Sequence, residues 1–116
     1  MKLGAVFCGE RCVLPKVWKA ANAWERARGL LGRAPLQRGE GLWLEPCGSV
    51  HTIGMAYALD LAFLDPAGHI RKQVNALLPL RFAMAPGTQV TLEMAADELH
   101  HLGLKSGDRL EWRELP

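Results

Sequence analysis

The sequence predicts a mainly β protein: a compact antiparallel barrel or jelly-roll-like sandwich carrying one or two short α-helices. Three observations lead there. Short apolar or alternating runs recur along the chain, each bounded by Gly, Pro or Asp. Only two segments show helical signals. The 116 residues, with no internal repeat, low-complexity tract or linker, suit a single domain spanning 1–116. An apolar fraction of 49% and a charged fraction of 22% would leave too much apolar surface in water for a disordered chain.

Leu3 to Cys8 and Cys12 to Lys19 read as two short strands joined through Gly9-Glu10-Arg11, a connection suited to a hairpin. Pro15 lies inside the second run and marks an edge strand or a bulge there, because it has no N–H to give to a ladder. Asn22 to Gly32 is the best helix candidate. Asn22 can cap it, Glu25 stands three residues on as in a capping box, and Trp24, Ala27 and Leu31 share a face. Gly32 and Pro35 end it.

Leu36 to Gly41 is a loop, and Leu42-Trp43-Leu44 a short strand stopped by Pro46. Leu59 to Leu64 is the strongest strand, apolar on both faces except for Asp60. Asp65-Pro66-Ala67-Gly68 has the residues of a tight turn, with Ile70 to Val74 as the return strand. Ala76 to Gly87 is mostly loop, with a piece of strand at Leu78 to Phe82. Val90 to Ala95 alternates, with Val90, Leu92 and Met94 on one side and Thr91 and Glu93 on the other. Asp97 to Leu102 is a short helix capped by Asp97 and followed by Gly103. Arg109 to Glu114 is the last strand.

Fourteen basic and twelve acidic residues leave a formal charge of +2, too little to indicate nucleic acid or an anionic membrane by itself. No apolar run is long enough to span a bilayer, and Met1 to Cys8 lacks the longer apolar core of a secretory signal. Three cysteines make no disulfide framework. The expectation is a cytoplasmic protein with no membrane span and no nucleic-acid partner. Gly29-Leu30-Leu31-Gly32, flanked by Arg26, Arg28, Arg33 and Arg38, reads as a solvated basic helix face rather than a phosphate clamp. The four Trp residues read as core and rim.

The chemistry concentrates between residues 47 and 60. Cys47, His51 and Met55 stand at four-residue intervals, just before the Leu59–Leu64 run with its single carboxylate, Asp60. Gly48 and Gly54 make a shaped loop the better reading than a helix. Soft sulfur with imidazole suits zinc or copper, and Cys8 and Cys12 could join Cys47 and His51 as a structural zinc set. A Cys47/His51 nucleophile pair would suit thiol chemistry, but no orienting third group or oxyanion loop accompanies it. The bland alternative is a buried Cys, a core Met and a His bonded to the main chain. Asp60, if buried, must be paired or must accept main-chain N–H bonds. Neither Glu93 nor Asp97 has a partner close in sequence that would define an acid–base pair.

These pieces together resemble the bacterial and archaeal family called domain of unknown function 192. The resemblance is carried by Glu25-Arg26-Ala27-Arg28-Gly29-Leu30-Leu31-Gly32-Arg33, by Gly39-Glu40-Gly41-Leu42-Trp43-Leu44, and by His51-Thr52, Met55 and Leu59 to Asp65 with Gly68. Val90 to Glu93 and Leu102 to Asp108 complete it, so that it covers roughly residues 20–112. Many members carry a Trp-Met-Lys-Asn-Thr-like run where this chain has His51-Thr-Ile-Gly-Met55-Ala-Tyr57, similar to a subgroup with a His-Thr pair. Cys8 and Cys12 lie outside the resemblance. Members are often exported, whereas no signal is evident here. The resemblance implies a mostly antiparallel β barrel or jelly-roll-like fold and no established enzyme activity.

The sequence-based expectation is therefore a non-enzymatic ligand-binding or accessory domain, acting on a small molecule or a protein. Its pocket would involve Cys47, His51, Thr52, Met55 and Asp60, with Arg28 nearby, and no cofactor. The alternative is a zinc or copper protein using Cys8, Cys12, Cys47 and His51, and a thiol-dependent enzyme is a third class.

Overall fold

The β strands come first because their residues leave little choice. Short runs, some alternating apolar with polar side chains and some almost wholly apolar, lie between turn formers. In the computed structural model, which describes residues 1–22, 25–26, 33–51 and 57–116, nine strands account for most of the regular structure. They are β1 (Lys2–Cys8), β2 (Arg11–Ala20), β3 (Glu40–Leu44), β4 (Ser49–His51), β5 (Leu59–Leu64), β6 (Ile70–Leu77), β7 (Phe82–Met84), β8 (Val90–Ala95) and β9 (Glu111–Glu114). A helix spans Glu98–Leu102.

Seven strands form one sheet in the order β6-β5-β8-β3-β2-β1-β9, and β4 pairs with β7 in a separate ribbon. All pairings are antiparallel except β2 with β3. The fold is thus mainly β, as expected. The sheet is not closed by a ladder into a barrel. Its two edges approach at one isolated bridge, His69 with Arg109, flanked by bonds from Ile70 N–H to Asp108 O and from Gly107 N–H to Ile70 O.

Local details follow the residues. Between Gly4↔Val17 and Val6↔Leu14, β2 spends one residue more than β1, so a bulge falls at Pro15-Lys16, where the proline could not have supported a ladder. The strand is interior to the sheet, so the edge alternative does not apply. Gly4 admits the indole of Trp112: a Cβ there would lie 2.5 Å from that ring and 2.4 Å from Arg113 O. The Asp65–Gly68 turn forms as expected, with Asp65 Oδ1 accepting from Ala67 N–H and His69 N–H and Gly68 at φ +95. Asn22 Oδ1 accepts from Glu25 N–H, and Glu25 Oε1 accepts from Ala21 N–H. The rest of the helix expected to Gly32, including Arg28 and the Gly29–Gly32 run, lies outside the described residues. The strand piece expected at Leu78 to Phe82 forms later, as β7, and β6 runs on to Leu77.

Two apolar clusters lie on opposite faces of the central strands. An inner cluster gathers Val6, Leu14, Val17, Trp43, Ala62, Leu64, Leu92 and Met94 with Leu99, Leu104 and Leu110. An outer cluster gathers Ala20, Leu42, Leu44, Leu59, Leu61 and Phe63 under Leu36, Ala83 and Ala85. The β4–β7 ribbon covers part of the outer face, with Val50 and Ala83 turned inward. Every residue of β5 is buried as a result. Such burial on both faces is the usual reason for a near-continuous apolar run.

Candidate functional site on the outer face of the central sheet

Asp60 lies between Leu59 and Leu61, which point into the outer cluster, so its own side chain takes the opposite face with Ala62 and Leu64. It is 1% exposed. Oδ1 accepts from Ala76 N–H at 2.8 Å and Oδ2 from Leu99 N–H at 3.0 Å. Asp60 therefore serves the start of the Glu98–Leu102 helix. That is the task the sequence assigned to Asp97, whose side chain makes no cap bond and whose φ is 75. It also holds Ala76 at its left-handed φ of 51.

Cys47 belongs to the other side. It packs against the outer cluster, its Sγ lies 3.1 Å from Ser49 O, and its carbonyl accepts from Thr91 Oγ1 at 3.0 Å. His51 is exposed on β4, opposite Phe82. The structure thus places Cys47 in the outer layer and His51 on the ribbon that helps cover it, and puts the Asp60 carboxylate on the inner face. Thr52, Met55 and Arg28 lie outside the described residues. Cys8 faces the inner cluster, and Cys12, one register step away on the hairpin, is exposed on the other side. Among the described residues no three His, Cys, Asp or Glu side chains stand close enough to share a metal ion. The alternative set Cys8, Cys12, Cys47 and His51 is accordingly not assembled.

Glu93 and Tyr57 share the outer face with Thr91, whose hydroxyl is already engaged by the Cys47 carbonyl. Across the sheet Glu93 pairs with Leu42 on β3 and Leu61 on β5, so its carboxyl stands in an apolar row at the centre of the outer face. Burial pushes its pKa up from 4.5 to about 7. Tyr57, the chain's single tyrosine, packs on the same cluster. Burial, together with the charge of Glu93, raises its pKa. Its hydroxyl approaches the Leu36 main chain without reaching hydrogen-bond geometry and has no partner. A groove of about 350 Å³, lined by Lys16, Trp18, Arg33, Leu36, Glu40 and Leu42, shares Leu36 and Leu42 with this cluster, while Tyr57 and Glu93 themselves do not line it. Leu36 and Leu42 are the neighbours of Tyr57 and Glu93 respectively. An apolar hollow with a few convergent polar groups is the usual form of a small-molecule site.

Sequence reading passed over both residues. Alternation sets Glu93 with Thr91 on the face opposite Val90, Leu92 and Met94, and no acid–base partner stands near it in sequence. The one available signal was its place between Leu92 and Met94 in a segment with apolar partners on both sides. Tyr57 stands two residues before the strongest strand.

The DUF192 model, described as "Uncharacterized ACR", matches residues 8–112. The chain belongs to the DUF192 family. The matched region begins at Cys8, so Cys8 and Cys12 fall inside the family region rather than before it. Two solved structures share the fold. One, from Sinorhizobium meliloti 1021, carries the description of a putative transcription regulator. It has 22% identity and a TM-score of 0.80, over 96% of this chain and 92% of that one. The other, a protein of unknown function from Novosphingobium aromaticivorans DSM 12444, has 21% identity and a TM-score of 0.77, over 97% and 84%. No curated protein matches the chain.

Proposed function

We propose that this DUF192 protein is a small, non-enzymatic ligand-binding domain whose site lies on the outer face of its central sheet. The observation that carries this reading is the Tyr57 hydroxyl, buried and without a partner, beside the buried carboxyl of Glu93 and next to the groove at Leu36 and Leu42. A buried polar group without a hydrogen bond costs about 1–3 kcal/mol, and a ligand that completes the bond recovers it. The ligand class that suits the pair is a small, largely apolar molecule with one acceptor for Tyr57 and one donor or acceptor for the Glu93 carboxyl. Cys47 and His51 stay within the reading as parts of the outer layer and its covering ribbon, while Asp60 holds the helix.

Three finer assignments go with it. Barrel-like or jelly-roll-like closure is supported by the His69–Arg109 bridge. Membership of a His-Thr subgroup is supported by His51-Thr52. A cytoplasmic setting is supported by three free cysteines.

The test is thermal-shift screening of the full chain against neutral amides, lactams and alcohols, with wild type and Tyr57→Phe side by side. Without ligand, the variant is expected to equal wild type or to exceed it by up to about 1 kcal/mol, since an unsatisfied hydroxyl is removed. At least one compound is expected to raise the wild-type Tm and to lose that effect in Tyr57→Phe. A screen without such a compound, or a compound equally effective on both proteins, refutes the reading.

A further inference from the structure

Exposed large apolar side chains concentrate in one short segment. Leu78, Leu80, Phe82 and Met84 are 54%, 69%, 61% and 47% exposed. Phe82 and Met84 project outward from β7, while Ala83 between them is buried against the outer cluster. Leu80 stands in the turn before them, at a left-handed φ of 61. Together they present roughly 500 Å² of apolar surface, the size at which a patch on a monomer is often functional.

The charge of the chain segment that carries this patch has one sign. No acidic residue occurs between positions 66 and 92, and Arg71, Lys72 and Arg81 give that stretch +3 with histidines neutral, against +2 for the whole chain. Arg71 is paired with Asp65 at 2.6 Å, and Arg81 touches the apolar segment directly, its Nη1 donating to Leu80 O. Lys72 Nζ donates to Met84 O at 2.8 Å.

Three occupants can be weighed. A second copy seated by two-fold symmetry would set this cationic segment against itself, with no carboxylate of its own to intervene. An added strand would need the outer edge of β7. The bond from Ala85 N–H to Gly48 O makes 48/85 a hydrogen-bonded pair, so alternation turns the main-chain groups of Phe82 and Met84 away from β4, toward that edge. There the lysine already occupies the Met84 carbonyl, and a charged side chain on an edge is a usual block to strand addition. An anionic lipid surface needs neither symmetry nor an open edge. It takes apolar side chains at the depth of the headgroups and cations around them.

We infer that the 78–84 segment is a peripheral membrane contact, inserting Leu78, Leu80, Phe82 and Met84 at the surface of an anionic bilayer with Lys72 and Arg81 among the headgroups. The contact is independent of the Tyr57–Glu93 site and requires no membrane-spanning element.

The experiment is co-sedimentation of the full chain with phosphatidylcholine vesicles, with and without a minor fraction of phosphatidylglycerol. Wild type is expected to bind the anionic vesicles, to lose that binding in high salt, and to bind pure phosphatidylcholine at least about tenfold more weakly. Phe82→Ser and Leu80→Ser are each expected to weaken binding by about tenfold, the size expected for losing one half-inserted apolar side chain. Arg81→Ala is expected to weaken binding to the anionic vesicles too, and the stability of Phe82→Ser and Leu80→Ser should match wild type because those side chains are exposed. Failure to bind anionic vesicles, or binding unchanged in Phe82→Ser and Leu80→Ser, overturns the inference. So does sedimentation velocity showing a dimer that these variants dissolve, which would give the patch to a second copy. Ligand-dependent stabilisation through Tyr57 is read in the same variants, so failure of one proposal is separable from failure of the other.

Discussion

Replacing Glu93 with Gln should flatten the pH dependence of stability between about pH 5 and pH 8. The carboxyl has an ordinary pKa of 4.5 and one of about 7 in the fold, raised by burial between Leu42 and Leu61. Through that window the folded protein keeps the proton while the unfolded chain releases it. The folded state therefore binds more protons, and stability falls as pH rises. The favourable contribution is complete below 4.5 and is gone above 7, a swing of about 3 kcal/mol. Gln has nearly the same shape and no charge, so Glu93→Gln should match wild type within about 1 kcal/mol near pH 5 and exceed it by about 3 kcal/mol near pH 8. Urea unfolding of both proteins at several pH values gives the difference, and the histidines cancel in the comparison. Asp65 does not intrude. The His69 main-chain N–H and then Arg71 hold its pKa below the ordinary carboxylate range, so its contribution fades only in acid. Parallel pH profiles for wild type and Glu93→Gln would refute the claim that this carboxyl is buried and protonated.

Two further outcomes probe the frame. Asp60→Ala removes the acceptor of Ala76 N–H and Leu99 N–H, and should cost about 3 kcal/mol in urea unfolding with faster hydrogen exchange at those two amides. An effect below about 1 kcal/mol would mean the carboxylate does not hold the helix. Gly4→Ala sets a Cβ against the Trp112 ring and Arg113 O, and should cost about 2 kcal/mol with a shift in tryptophan emission as β9 gives way. Unchanged emission and stability would show that β9 does not pack over Gly4 as described.

Much of the frame was legible in the chain because its causes are local. Pro15 cannot donate to a ladder, and a bulge sits there. Asp65 and Gly68 satisfy a tight turn between β5 and β6. Asn22 accepts from the Glu25 main chain, and Glu25 accepts from the main chain of Ala21, one residue before the expected partner. The site was less legible. Cys47, His51, Met55 and Asp60 were grouped because they are close in sequence, yet alternation along β5 sends Asp60 to the face away from Cys47. Asp97 looked like the cap of the late helix, but a left-handed backbone takes its side chain out of that role.

The sequence by itself determined most of the strands, where the chain turns, and that a β core would form, whereas β4 (Ser49–His51) falls in a segment that reads as loop. Those properties depend on dihedral preference and on a period of two, which neighbours in the chain express directly. Tertiary structure alone decided that β8 lies between β5 and β3, that its second face is covered, and that Glu93 is therefore buried. It also set Asp60 against an amide 39 residues away. Alternation tells a strand that it has two faces. Whether each face meets water or another layer depends on residues far along the chain, and that difference separates a solvated carboxylate from a protonated one.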